Sequence, residues 1–254
     1  VSTISSRKPL LLRVLQGFHS VYAMVWMLFV TSLCSTLSVL LRPIHAGLSR
    51  WVGRTWGLLL VLGVGIRLRV TGAEKLDRRR TYIFMSNHLS AADIIILYTA
   101  IPFPVGYLAK RELFRIPLFG WAMKASGHIP VDRGNPREAK KAIERAVEVV
   151  KSGDLSLIIF PEGTRSTTGE LGSFKLGGFS LAVSAGADIV PMAISGTREL
   201  LPKGAYHLNP RPITVRMGEP IRISDYDKQS KAVLAEQTRE AILRLSGSSA
   251  NGLN

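Results

Sequence analysis

One cysteine, Cys34, occurs in 254 residues, so no internal disulfide can form and a small secreted scaffold held by bridges is excluded. No cysteine pair and no His-x3-His spacing is present, which removes the usual structural zinc patterns. Charged residues make up only 20% of the chain against 46% hydrophobic residues. That balance is too apolar for a disordered chain. Acidic residues are scarce as well: 18 Asp and Glu stand against 33 Lys and Arg, a formal net charge of +15. The excess is uneven, because residues 1–80 hold twelve Lys and Arg against Glu74 and Asp77, which is +10 of the total. Nucleic-acid binders interleave such cations with aromatics on an exposed face, whereas here they flank long apolar runs. Anionic lipid headgroups suit this pattern and nucleic acid does not.

Charge is missing altogether between Arg13 and Arg42, a stretch of 28 residues. As a helix it would be about 42 Å long against a hydrocarbon core of about 30 Å. It lacks the short apolar region and small-residue cleavage site of a signal peptide, so a retained anchor is expected. Pro43 ends that helix, and a second apolar run at 51–66 is interrupted by Arg54. Its twelve uncharged residues, 55–66, are too few to cross. Two arrangements remain open: one spanning helix plus an interfacial one, or a two-helix hairpin in one leaflet with Arg50, Arg54, Arg67 and Arg69 at headgroup level.

From residue 68 onward, short apolar runs alternate with helical patterns. Strands are expected at 68–71, 82–86, 105–109, 129–131, 155–160, 189–194 and 213–217. The clearest helix is 136–151, with Asn135 as its cap, Pro136 in the first position, and Ala139, Ile143, Ala146, Val147 and Val150 as an apolar stripe. Another helix is expected at 228–245. The fold class is therefore α/β, a mixed, mostly parallel sheet flanked by helices, with an N-terminal two-helix membrane-associating element. The expected division is an anchoring helical pair at 1–66, an α/β domain at 67–246 and a mobile tail at 247–254.

Polar bursts close four of these strands, and the carboxyl ends of strands are where α/β sheets place ligands. Asn87-His88-Leu89-Ser90-Ala91-Ala92-Asp93 follows the second strand. With Ser90 capping a helix that begins near Ala91, Asp93 falls in the first turn, close enough to hold one imidazole nitrogen of His88. The other nitrogen then faces the cleft as a base for a hydroxyl. Phe160-Pro161-Glu162-Gly163-Thr164-Arg165-Ser166 closes the fifth strand. There Gly163 lets backbone approach an anion, Thr164 and Ser166 offer hydroxyls, and Arg165 offers a fork that matches a phosphate. Glu162 would pair with Arg165 or help to manage protons. Lys110 closes the third strand and Arg133 follows the fourth. A base and several cations on one sheet edge describe a substrate with a phosphate and an acidifiable hydroxyl.

These motifs resemble the membrane-bound glycerophospholipid acyltransferases, in particular the 1-acylglycerol-3-phosphate acyltransferases, over roughly residues 65–220. Asn87-His88 with Asp93 is similar to the family's first motif, 127–133 to its second, 160–166 to its third, and Val190-Pro191 with Ile194 to its fourth. The second departs at Pro130, where the family generally has a larger apolar residue. The resemblance implies His88 as general base oriented by Asp93, an acceptor site shaped by Glu162, Gly163, Thr164 and Arg165, phosphate binding by Arg133, and Val190 with Pro191 lining the site. Lys110 and Lys175 are phosphate contacts by position alone. The implied reaction moves a fatty acyl group from acyl-CoA or acyl carrier protein to the 2-hydroxyl of lysophosphatidic acid, giving phosphatidic acid.

The partners expected are a lysophospholipid acceptor, an acyl thioester donor and membrane lipids, with no nucleic acid, metal or redox cofactor. The expected location is the cytoplasmic face of the cell membrane. Two other readings fit the residues: the same chemistry on another lysolipid, such as an ornithine-type one, or an anionic-lipid binding module without catalysis. Segments 101–104 and 113–121 would line an acyl groove, dip into lipid or pack as ordinary core.

Overall fold

The computed structural model describes residues 10–132, 134–205, 207–227 and 229–247. Arg133 and the tail beyond Gly247 lie outside the described residues. Two antiparallel helices, α1 (Leu10–Leu41) and α2 (Ala46–Gly63), precede an α/β layer. The layer runs β1 (Leu68–Thr71), β2 (Ile83–Ser86), α3 (Ala92–Ala100), β3 (Val105–Lys110), α4 (Phe119–Ala125), β4 (Ile129–Val131) and α5 (Pro136–Lys151). It continues through β5 (Ser156–Ile159), α6 (Gly177–Ala185), β6 (Ile189–Ser195), α7 (Thr197–Leu200), β7 (Ile213–Met217) and α8 (Lys231–Ser246).

All seven expected strands form one sheet in the order β1-β7-β6-β2-β5-β3-β4. The five strands from β6 to β4 are mutually parallel, while β7 runs antiparallel to β6 and β1 parallel to β7. β2, β5 and β6 carry almost no polar side chains because both faces of the sheet are covered. On one face, Phe84, Ile158 and Val190 join α3 and, through Ala23, Val61 and Val64, the N-terminal helices. On the other, Ile83, Met85, Leu157 and Ile189 meet α5, α6 and α8.

Local chemistry sets the helix ends. The Asn135 side chain accepts the N–H of Arg137 and of Glu138, and Pro136 opens α5, as expected. α8 starts three residues later than expected, because the Asp227 carboxylate collects the N–H groups of Gln229 and Ser230 and holds that stretch as a turn. α2 begins five residues earlier than the apolar run, since the His45 ring accepts the N–H of Gly47 directly after the Pro43 turn.

α1 is long and apolar enough to cross a membrane from Val14 to Leu41, and only a minor part of that stretch is buried. Its buried stripe, Ala23, Val30, Cys34 and Ser38, faces α2 and the domain. Phe18, Val25, Phe29 and Leu40 are each more than half exposed, an apolar surface suited to lipid. The indole N–H of Trp26 donates to Leu59 O at 2.9 Å, and that of Trp56 donates to Thr31 Oγ1 at 3.0 Å, which fixes the two helices together. Three buried hydroxyls, Ser38, Ser49 and Ser126, lie within 2.5–3.4 Å of one another and tie α1 and α2 to the end of α4.

Candidate active site

β2, β5, β3 and β4 are adjacent and parallel, so the four polar bursts share the carboxyl edge of the sheet. At the end of β2, His88 Nδ1 lies 2.8 Å from Asp93 Oδ2. The same oxygen accepts the N–H groups of Leu89 at 2.6 Å and Ser90 at 2.8 Å. Asp93 is fully buried, and its Oδ1 has no partner among the described residues. An ionised carboxylate can only accept, so Nδ1 carries the proton and Nε2 of His88 is left as an acceptor. Ser90 contributes differently from a simple cap: α3 starts at Ala92, and Ser90 Oγ accepts Ala92 N–H at 3.3 Å while donating to Leu201 O at 2.8 Å.

The 160–166 loop grips His88 from both sides. Phe160 stacks on the imidazole with centroids 3.9 Å apart and planes 15° from parallel. Glu162 Oε1 accepts His88 N–H at 2.9 Å, and Ser166 N–H donates to His88 O at 2.8 Å. The other Glu162 oxygen accepts Gly172 N–H at 2.9 Å. The expected pairing of Glu162 with Arg165 is absent: the buried carboxylate is saturated by backbone N–H groups, and Arg165 carries no ion pair among the described residues. Gly163 takes φ +72°, which suits glycine, and the Lys175 side chain lies over it, 3.0 Å from where a Cβ would stand. Lys175 and Arg165 thus flank the same loop, with Thr164 exposed at its tip.

Lys110 ends β3 at the shared edge, exposed and 3.6 Å from Glu112. Val190 and Pro191 lie elsewhere than expected. They sit in the interior of β6, paired with Phe84 and Met85, and are buried in the sheet several residues before its carboxyl end. The part of that segment that reaches the site is Ile194, through its backbone. Asn87 Oδ1 accepts Ile194 N–H at 2.8 Å, and Asn87 Nδ2 donates to Ile194 O at 3.0 Å, splicing the β2 and β6 ends together.

Sequence reasoning missed the supports behind the dyad. Tyr107 stacks on Phe160 at 6.2 Å and donates its hydroxyl to Ile94 O at 2.8 Å, so it braces both the ring beneath His88 and the turn that carries Asp93. Burial, and then the nearby Asp93 charge, push the Tyr107 phenol up and keep it a donor. His128 Nδ1 accepts Tyr107 N–H at 3.1 Å, and burial pushes this imidazole down to about 4, so it stays neutral. The signal for this layer was one aromatic residue, Tyr107, in the middle of β3, but only the register reveals its partner.

Comparison with known proteins decides the family. A sequence model described as Acyltransferase matches residues 67–195. The 1-acyl-sn-glycerol-3-phosphate acyltransferase of Limnanthes douglasii is 37% identical over 193 residues, 75% of this chain and 68% of that one. The chain belongs to the 1-acyl-sn-glycerol-3-phosphate acyltransferase family. The member from Saccharomyces cerevisiae is 33% identical over 218 residues, 85% of this chain and 71% of its own. A member from Cocos nucifera is matched over 57% of its length at 37% identity. The fold is shared with the crystal structure of the LPA acyltransferase PlsC from Thermotoga maritima, at TM-score 0.75 and 24% identity over 95% of this chain and 99% of that one.

Proposed function

We infer that the chain transfers a fatty acyl group from a thioester, acyl-CoA or acyl carrier protein, to the 2-hydroxyl of 1-acylglycerol-3-phosphate, giving phosphatidic acid. The observation that carries the reading is the His88–Asp93 pair, with Nδ1 tied at 2.8 Å and Nε2 left as an acceptor beside the Arg165 loop. Nε2 takes the proton of the acceptor hydroxyl as its oxygen attacks the thioester carbonyl. Asp93 stabilises the imidazolium that forms. Collapse of the tetrahedral intermediate expels the thiolate, which recovers that proton from His88. Such acid–base work supplies about 10²- to 10⁴-fold in rate.

The acceptor phosphate lies only a few bonds from the hydroxyl that reacts, so its cations must stand next to His88. In support of Arg165, its neighbour Ser166 is hydrogen-bonded to His88; Lys175 lies over Gly163 of the same loop, and Lys110 closes a neighbouring strand of the same edge. Held there, the phosphate turns an encounter into an oriented attack. Direct transfer needs neither a metal nor a redox cofactor. The acyl chains account for the exposed α1, since each methylene withdrawn from water is worth about 0.8 kcal/mol and the substrates reside in the bilayer. The enzyme works at the cytoplasmic face of the membrane in this reading, where acyl-CoA and acyl carrier protein are found.

The test is transfer from acyl-CoA to lysophosphatidate by the purified chain in vesicles, beside His88→Ala. Loss of product by at least two orders of magnitude with vesicle binding retained supports the reading. Full activity in His88→Ala would leave a lipid-binding module in its place. A strong preference for an acceptor without phosphate would overturn the substrate assignment, and release of free fatty acid without ester product would make the reaction hydrolysis.

A further inference from the structure

Leu118, at φ 64° and ψ −58°, is the only residue other than glycine with positive φ among the described residues. Phe119 N–H reaches back to Pro117 O at 2.7 Å, so Leu118 is the centre of a γ-turn of the rarer, strained kind. The turn lies between β3 and α4, and β3 pairs with β5, whose end carries the loop gripping His88. It does not bury the apolar residues around it: Ile116 is 46% exposed and Trp121 57% exposed, with Pro117 exposed between them. Segment 101–104, by contrast, places Ile101 and Phe103 in the core.

We propose that residues 116–121 form a second membrane-inserting element, which seats the rim of the active site in the headgroup and upper acyl region of an anionic bilayer. Three observations select lipid as the occupant. First, the element is attached to the helices that carry the exposed apolar surface: its helix α4 is joined to α1 and α2 by the buried Ser126–Ser38 and Ser126–Ser49 contacts, and Phe119 lies 6.5 Å from Trp56 of α2. Second, exposed Arg115 and Lys124 bracket it, with Arg111 behind, placing cations where phosphates would lie and Trp121 where interfacial indoles sit. Third, much of its backbone is closed on itself, with Leu118 and Trp121 the two residues whose N–H finds no acceptor among the described residues. The N–H groups of Ile116, Phe119, Gly120 and Ala122 all bond within the segment or to Leu113, and Pro117 has none. Gly120 allows this closure, since a Cβ there would collide with Phe114 O.

The proposal rests on the membrane reading above, and the experiment separates the two. The full-length chain is floated with vesicles of phosphatidylcholine and phosphatidylglycerol, beside Ile116→Asp/Trp121→Asp and, on α1, Val25→Asp. The expected result is a loss of vesicle partition in the double variant of at least tenfold, with transfer between water-soluble short-chain substrates within about twofold of the parent and an unchanged melting temperature. A double variant that floats like the parent overturns the proposal while leaving α1 as the anchor. A parent chain that fails to float sinks the membrane reading itself. Self-association of the parent in detergent that the double variant loses would make this patch an interface between copies, which also overturns the proposal.

Discussion

Replacement of Asp93 by Asn separates the two tasks of that carboxylate. In a dyad of this kind an amide can rotate to present its NH2 to the imidazole, which forces the wrong tautomer and removes the base. Here rotation is blocked, because the oxygen facing His88 also accepts the N–H groups of Leu89 and Ser90 at 2.6 and 2.8 Å. The amide oxygen must stay on that side, so Nδ1 keeps its proton and Nε2 remains an acceptor. What is lost is the negative charge that meets the imidazolium as it forms. Two unit charges about 4 Å apart at an effective dielectric constant near 20 attract by about 4 kcal/mol, of which the amide dipole keeps part. A loss of about 2–4 kcal/mol corresponds to about 30- to 10³-fold in kcat.

The amide NH2 takes the place of Oδ1, which is buried without a partner. One unpartnered polar group replaces another there, so the melting temperature should move by only a few degrees, the weaker bonds from the Leu89 and Ser90 N–H groups to a neutral oxygen opposing the relief of a buried charge. Initial rates at saturating donor and acceptor, with KM for each, are the assay, and His88→Ala provides the floor. The reasoning fails if Asp93→Asn falls to that floor, which would mean that the tautomer was lost. It fails equally if kcat is unchanged, which would mean that the charge is unused.

Three further outcomes are expected. Glu162→Gln sets an amide donor against one of the two N–H groups, of His88 or Gly172, now held by the carboxylate; stability should fall by about 1–3 kcal/mol and kcat should drop with little change in acceptor KM, read by thermal unfolding and kinetics. Asn87→Asp cannot donate to Ile194 O and should cost about as much as Asn87→Ala, on the order of 2 kcal/mol, so an Asp variant as stable as the parent would contradict the splice between β2 and β6. His128 is held neutral, lowered to about 4 from its ordinary 6.5, so the folded state binds fewer protons there than the unfolded one. Its contribution is complete above pH 6.5 and is lost progressively toward pH 4, on the order of 3 kcal/mol in all. Unfolding midpoints of His128→Gln between pH 6.5 and 5 should therefore fall less steeply than those of the parent.

The strands, α5 and the motif ends were legible because they depend on short-range rules. Apolar runs bounded by turn residues have few alternatives to a covered sheet, and Asn135-Pro136 states a helix start outright. His88 and Asp93 were legible for a similar reason: five residues across one helix start bring the two side chains together. The role of Glu162 was not, since a carboxylate three positions from Arg165 suggests a local pair, whereas its partners come from His88 and Gly172, brought there by the fold. Val190 and Pro191 were misplaced because sequence does not state how far along β6 the sheet edge falls; pairing with Phe84 and Met85 buries them.

The chain by itself therefore determined its elements, its apolar N-terminus, and a base with an acid five residues apart, all consequences of covalent neighbourhood and periodicity. The order of the strands decided the rest. Only with β2, β5 and β3 side by side does Phe160 lie against His88 and Tyr107 against Phe160, because contacts across a sheet depend on register between segments that the sequence keeps far apart.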